Sequence, residues 1–394
     1  MKAGKKITVI GGAGAMAKAI IKDMVESKDI SEIVIAARNG KEANRFANEL
    51  KSKPETKAKL SAVALDVYDH DKLVETIKDS DAVIDATHQS CGFTVAKGVV
   101  DAKVNGCALG SHYVYAKEII EKLDKLAKDA GITYLVSAGA MGATGIMAKY
   151  LANKMDEAEE VHISMPIFRP IALSPALVDL FVSEMISTTT LIYEDGVLRK
   201  MPPFSGKEEI EYPEPFGKQT VYYFTSCDPL TIPMAIKGLK HVYCKVTYYP
   251  DYTEMLKTCC DVGFCSATPI EVGGQKIIPK DVFKELLLRR PVEKGREMVK
   301  FAIRVKVSGR KNGWKVERIL YTLFLPFEGE KEGPETRATG EPGSIIVQMM
   351  ARGNMKEKGA MGPESCIEPN EFMAEWSKRR GVEIYESCIE NRKM

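Results

Sequence analysis

The sequence predicts an α/β protein in two parts: a parallel sheet covered by helices, then an α+β region on a mixed, largely antiparallel sheet. Three observations carry this. Strand and helix signals alternate regularly over residues 1–135, and such alternation implies parallel strands with helices on both faces. A glycine cluster, Gly11, Gly12 and Gly14, stands where the first strand gives way to the first helix. Beyond about residue 160 the segments become rich in Tyr, Val and Thr and are broken by Pro-rich loops, as in sheets joined by hairpins and long connections.

In chain order, Ile7–Ile10 is a buried strand, followed by an alanine-rich helix from Ala15 to about Ser27. Strands follow at Glu32–Ala37, Leu60–Leu65, Asp81–Ala86, Gly106–Leu109 and Thr133–Val136, with helical stretches such as Lys41–Lys51 between them. The second part has strands at Val161–Met165, Thr189–Tyr193, Thr220–Phe224, His241–Tyr249, Lys300–Val307 and Val316–Phe324, with a helix at Asp281–Arg289. After the charged loop Glu328–Glu335, helix signals return in Ser344–Arg352 and Pro369–Arg380. The expected division is one domain from residues 1–135 and 335–394, with residues 136–334 inserted as a second.

Composition narrows the function. With 56 Lys+Arg against 54 Asp+Glu, the formal charge is +2, which argues against a polyanion-binding surface and so against nucleic acid as a partner. No apolar run reaches the ~18 residues of a membrane span. Nine cysteines at irregular spacings, with no signal peptide read before Ile7, suggest reduced thiols in a cytoplasmic protein. Cys259, Cys260 and Cys265 cluster without a second pair or a nearby histidine, so no metal site is expected.

The spacing Gly12-x-Gly14-x-x-Ala17 follows a strand, opens a helix and precedes a second strand. In that setting it reads as the dinucleotide fingerprint of a Rossmann domain. Gly12 would make the tight turn, Gly14 would let the backbone approach a pyrophosphate, and Ala17 would permit close helix–strand packing. The loop Gly12-Ala13-Gly14-Ala15-Met16 is thus the predicted phosphate cradle. At the end of the second strand an NAD site usually places a carboxylate on the ribose. Here Arg38 and Asn39 stand there, which favours NADP(H) over NAD. Asp66 and Val67 end the third strand and Thr87 and His88 the fourth, at the edge where ligands bind.

The motifs GGAGAMA, LDVYD, DAVIDATH, CALGSHYVY, LDKLAKDAGITYLVSAG, PFSGKEEIEYPEPFGKQTVYY, ATGEPGSIIVQMMARG and GPESCIEPNEF run almost the whole chain. On them the chain resembles the saccharopine dehydrogenase family, which includes saccharopine reductases and lysine 6-dehydrogenases. The resemblance implies a dinucleotide domain completed by the C-terminal segment, and a middle domain that covers the substrate and forms a homodimer. It also implies hydride transfer between a nicotinamide and an amine or imine carbon of an amine or amino-acid substrate. Two departures stand out. The family's Gly-x-x-Pro-Gly has no proline in the stretch from Gly139 to Gly145, and Glu184 lies near the place of an arginine that helps hold a substrate carboxylate.

Amine oxidation needs a neutral nitrogen before hydride can leave its carbon, and a group titrating near neutrality suits that task. His88, His112 and Tyr113 follow strand ends at the expected edge and are the catalytic candidates, with Tyr115 as a possible pocket wall. Glu184, Arg169 and Tyr223 are candidates for substrate recognition in the middle domain. An aminoalkyl-transferring synthase that stores hydride on bound NAD, and a non-catalytic dinucleotide-sensing dimer, are the alternative functions.

Overall fold

The computed structural model describes residues 4–391 apart from 169–177, 179–181, 183–189, 203, 291–298 and 331–332. Its first sheet begins with six strands: β1 (Lys5–Ile10), β2 (Ile30–Ala37), β3 (Lys59–Ala64), β4 (Ala82–Asp85), β5 (Gly106–Ala108) and β6 (Thr133–Leu135). A seventh, Gly359–Met361, arrives from the far end of the chain and pairs in parallel with β6. All seven are parallel, with the order reversing at β1 between β4 and β2. Ligands bind at such a switch point, outside the carboxyl ends of the strands. Helices α1 (Ala15–Met24), α2 (Gly40–Lys51), α3 (His70–Ile77), α4 (Gly92–Asp101), α5 (Tyr113–Asp129) and α6 (Ala140–Ala152) follow the successive strands.

Local chemistry sets these boundaries. Asn39 caps α2, its side chain accepting the Glu42 amide at 3.1 Å, and Asp69 caps α3 through the Lys72 amide at 3.1 Å; each cap contributes about 1 kcal/mol. Ala17, Ile20, Ile21 and Met24 recur at helical spacing on the fully buried face of α1.

The second sheet has nine strands. Its path runs Glu208–Tyr212, Gly217–Tyr223, His241–Thr247, Glu157–Phe168, Lys300–Lys311, Trp314–Phe324, Val382–Asn391. His241–Thr247 pairs in parallel with Glu157–Phe168, and the other pairings are antiparallel. Alternate residues Val161, Ile163 and Met165, with Val242, Cys244 and Val246, turn inward and join one buried cluster with Ile7, Ile84 and Leu135 of the first sheet. One core therefore spans both sheets.

The C-terminal segment departs from the expected division in one element. The helix Pro334–Ala351 packs on α1, and Gly340 permits this, because a Cβ there would lie 2.7 Å from that of Ala19. The strand Val382–Asn391, however, pairs with Trp314–Phe324 and extends the second sheet. Only the part through the helix Pro369–Trp376 returns to the first layer, because Val382–Asn391 completes an edge of the other sheet.

The return is fastened by Arg379, whose Nε and Nη2 donate to the two carboxylate oxygens of Asp23 on α1, each at 3.0 Å. Ser344 Oγ donates to the same carboxylate at 2.6 Å. Arg379→Ala is expected to cost about 2–3 kcal/mol, between an exposed and a fully buried ion pair, measured by urea denaturation. A loss under about 0.5 kcal/mol would show that solvent replaces the tie.

The expectation of nine reduced thiols is also corrected. Cys260 and Cys265 are joined as a disulfide, because the turn after the helix Pro250–Asp261 brings their Cα atoms to 4.9 Å. Among the described residues no helix is long and apolar enough to cross a membrane.

Candidate functional site

The glycine loop leaves β1 and turns at Gly11, whose φ is +77°. The tight turn expected at Gly12 thus has its left-handed residue one position earlier, at Gly11. Gly12 is instead kept small by its neighbours: a Cβ would meet Ile35 Cγ2 at 2.5 Å, and its amide donates to Ala36 O at 3.0 Å. Gly14 is the N-cap of α1 in extended backbone, with no side-chain cap and no acidic residue in the first turn. The amides at that end and the positive end of the helix dipole are therefore available to an anion. Gly14 and Ala15 are exposed and Ala13 and Met16 half-buried, whereas Ala17 is fully buried against the sheet.

On the adenosine side, Arg38 follows β2 and is exposed. Its charge and that of Asp66 both act on the hydroxyl of Tyr68, which is hydrogen-bonded to Cys91 Sγ at 3.7 Å. Arg38, Asp66 and Tyr68 therefore share one corner of the edge. Asp66 Oδ1 accepts the Tyr68 amide at 3.1 Å in a local turn, and Val67 is buried beneath. Asn39 is occupied in capping α2.

On the other side of the switch point, Thr87 and His88 follow β4. His88 is exposed, and its Nδ1 lies 2.8 Å from Ser90 Oγ and accepts the Ser90 amide at 3.3 Å. His112 is the N-cap of α5, its Nδ1 accepting the Val114 amide at 3.3 Å, while its own amide donates to Gln89 Oε1 at 3.3 Å. Burial holds the His112 imidazole below its ordinary pKa. Tyr113 stacks on His112 and Tyr115 meets it edge-on, at centroid distances of 5.5 and 5.8 Å. The chain thus gathers Thr87, His88, His112, Tyr113 and Tyr115 at the carboxyl ends of β4 and β5.

The model of the saccharopine dehydrogenase NADP binding domain matches residues 7–135, and that of the saccharopine dehydrogenase C-terminal domain matches residues 179–382. The chain belongs to the saccharopine dehydrogenase family. It is a family NAD(P)-dependent oxidoreductase acting on amine or amino-acid substrates. It is 22% identical over 384 residues to carboxyaminopropylagmatine dehydrogenase of Synechocystis sp., covering 93% of this chain and 94% of that one. It also superposes on the apo histidine-tagged saccharopine dehydrogenase (L-Glu forming) of Saccharomyces cerevisiae with a TM-score of 0.73. That match has 16% identity and covers 98% of this chain and 100% of that one, so it concerns the fold.

The family's dinucleotide fits the cradle described above. Gly11, Gly12 and Gly14 leave Ala13 with the only side chain in the turn, a methyl, and the first turn of α1 carries no acidic residue that would repel a pyrophosphate.

The middle-region candidates fare differently. Arg169 and Glu184 lie outside the described residues. Tyr223 packs on the second sheet: its ring lies against Gly206, edge-on to Tyr243 at 5.5 Å, with Lys245 Nζ 4.8 Å from its centre. Lys245 is buried and ion-paired at 2.5 Å with Glu208 of the strand Glu208–Tyr212.

Sequence reading passed over Asp85 and Gln89. Asp85 ends β4 and is buried, its Oδ1 accepting the Thr87 amide at 2.8 Å. Burial pushes its carboxyl up to about 6. The available signal was an acidic residue closing an otherwise apolar strand, Ala82-Val83-Ile84-Asp85.

Proposed function

We propose that the protein oxidises an amine-bearing carbon by hydride transfer to NADP, or reduces the corresponding imine with NADPH, on a substrate whose distal end is cationic. The observation that supports NADP over NAD is Arg38, exposed at the end of β2 where a ribose-binding carboxylate would stand. A guanidinium there can pair with a 2′-phosphate.

A charge-assisted contact of this kind contributes about 1.5–3 kcal/mol, so NADPH should bind roughly ten- to a hundredfold tighter than NADH. Arg38→Asp is expected to abolish or reverse the preference in a fluorescence titration. Equal affinities in the wild type would remove the assignment.

The cationic arm is supported by the Synechocystis relative, whose named compound contains an agmatine arm, and by Glu184, a carboxylate that would attract an ammonium or guanidinium and repel an acidic arm. A panel of diamines, amino acids and keto-acid/amine pairs, read by nicotinamide absorbance, tests this. Turnover of saccharopine with lysine and the diamines inert would exclude it. Bound cofactor retained without net reduction would point to a synthase.

We also propose a homodimer through the open face of the second sheet. Tyr385 and Ile389 are exposed there on the edge strand, at 47% and 48%, as a buried interface would explain. A monomeric mass by light scattering would exclude it.

A further inference from the structure

We propose that Asp85 takes the proton that the substrate nitrogen must lose before hydride can leave its carbon. This rests on the amine-oxidoreductase reading above.

Asp85 is the last residue of β4, beside Ala108 of β5 and Ile10 of β1, so it stands at the switch-point edge where the family's dinucleotide and substrate meet. With Thr87, Gln89, Gly110 and Tyr115 it lines a small enclosed cavity of about 10 Å³ between the starts of α4 and α5, room for about one water that can relay a proton to its carboxyl. That pocket joins the loop after β4 to the loop after β5, which carry the residues read from the sequence as catalytic candidates. The Thr87 amide, donating to Oδ1 at 2.8 Å, holds the carboxyl in place.

The alternatives at this edge are less suited. The Nδ1 atoms of His88 and His112 are both engaged as caps. His112 is held below its ordinary pKa by burial. The Cys107 thiol on β5 and the Tyr134 hydroxyl on β6 both feel the charge of Asp85. Both are buried and pushed upward, so both stay neutral while Asp85 titrates. Burial raises Asp85 to about 6, which leaves it ionised and basic near neutral pH.

The step balances as a proton transfer followed by oxidation. The ammonium form of the substrate gives one N–H proton to a water in the cavity, which passes a proton on to the Asp85 carboxylate, leaving a neutral amine, a water and a carboxylic acid. The nitrogen lone pair then forms the C=N bond as hydride leaves the carbon for the oxidised nicotinamide. Asp85 returns its proton to water.

The test uses the full chain, NADP and the best amine of the panel above. Asp85→Asn should lower kcat at about pH 7.5 by at least about a hundredfold, the scale of general-base catalysis. Its NADPH affinity should stay within about threefold of wild type, since an amide oxygen still accepts from Thr87. The wild-type acid limb of kcat, centred near the Asp85 value of about 6, should vanish in the variant. In Asp85→Ala, added formate should restore activity at least about tenfold, by supplying a carboxylate in the vacated space.

A wild type active on an amine with Asp85→Asn within about threefold of it would overturn this inference alone. A wild type that binds NADPH but turns over no amine would overturn the reading and the inference together. If neither variant folds, the wild-type profile decides: no acid limb between about pH 5 and 7 overturns the assignment.

Discussion

Gly11→Val should abolish dinucleotide binding and destabilise the fold together. Gly11 has a φ of +77°, and a Cβ there would lie 2.7 Å from Ala86 O and 2.9 Å from the Thr87 amide. The obstruction is backbone, which cannot step aside as a flexible side chain would. A branched residue would force the phosphate loop away from the loop after β4, and those are two walls of the same site. The left-handed conformation alone costs about 1–2 kcal/mol for a residue with a β-carbon. With the displaced backbone, a loss of about 2–4 kcal/mol is expected. NADPH affinity should fall at least about a hundredfold, a change of roughly 2.7 kcal/mol. Gly131→Ala is the control: its φ is +70° but a Cβ there meets nothing within 4 Å, so only the conformational cost should appear and NADPH affinity should hold. Unchanged NADPH affinity in Gly11→Val would show that the loop does not cradle the cofactor.

Stability should fall as pH rises from about 5 to 8, and Asp228→Asn should flatten that fall. Asp228 opens the helix Asp228–Ala235 and accepts Thr144 Oγ1 of α6 at 2.6 Å. Glu364 is wedged where a Cβ on Gly145 or Gly362 would come within 2.5 Å of its oxygens. Both carboxyls are buried, and burial pushes Asp228 to about 6 and Glu364 to about 7, the charge of Asp228 adding to the rise of Glu364. Unfolding returns them to the ordinary range near 4. The folded state therefore holds protons that the unfolded state has released. The stabilisation is complete below about pH 4 and is lost as pH rises through 6 and 7. Two pH units of difference correspond to roughly 3 kcal/mol for one such group, as an order of magnitude. Glu341, raised to about 7, adds to the wild-type slope in the same direction. The asparagine cannot ionise but can still accept from Thr144, so it should remove the Asp228 share without opening a cavity. Urea denaturation at the two pH values reads the difference. Equal slopes in wild type and Asp228→Asn would show that Asp228 is solvated in the folded state.

The dinucleotide half of the molecule was legible along the chain because its information is local. The strand signal, the glycine spacing and the helix signal from Ile7 to Met24 lie within one βα unit, and hydrophobic period and turn chemistry encode such units directly. The motifs that place the chain in its family are equally local. The same limits explain what was missed. The helix Pro334–Ala351 begins well before the Ser344 at which its signal appears, and it runs through Pro342 and Gly343. Burial against α1, where Gly340 leaves room for Ala19, outweighs the poor propensity of those residues. The strand Val382–Asn391 is an edge, half polar, and acquires its place only through pairing with Trp314–Phe324. His88 and His112 stand where the sequence put them, but whether their nitrogens are engaged depends on loop closure. Asp85 is one acidic letter at a strand end, and its burial comes from the pocket walls on α4 and α5. Local periodicity and turn chemistry determined the elements and the cofactor loop, and the motifs along the chain carried the resemblance to the family. Contacts between distant residues, such as Asp23 with Ser344 across 321 positions, decided which side chains are buried, paired and poised, because burial and pairing depend on partners that no local window contains.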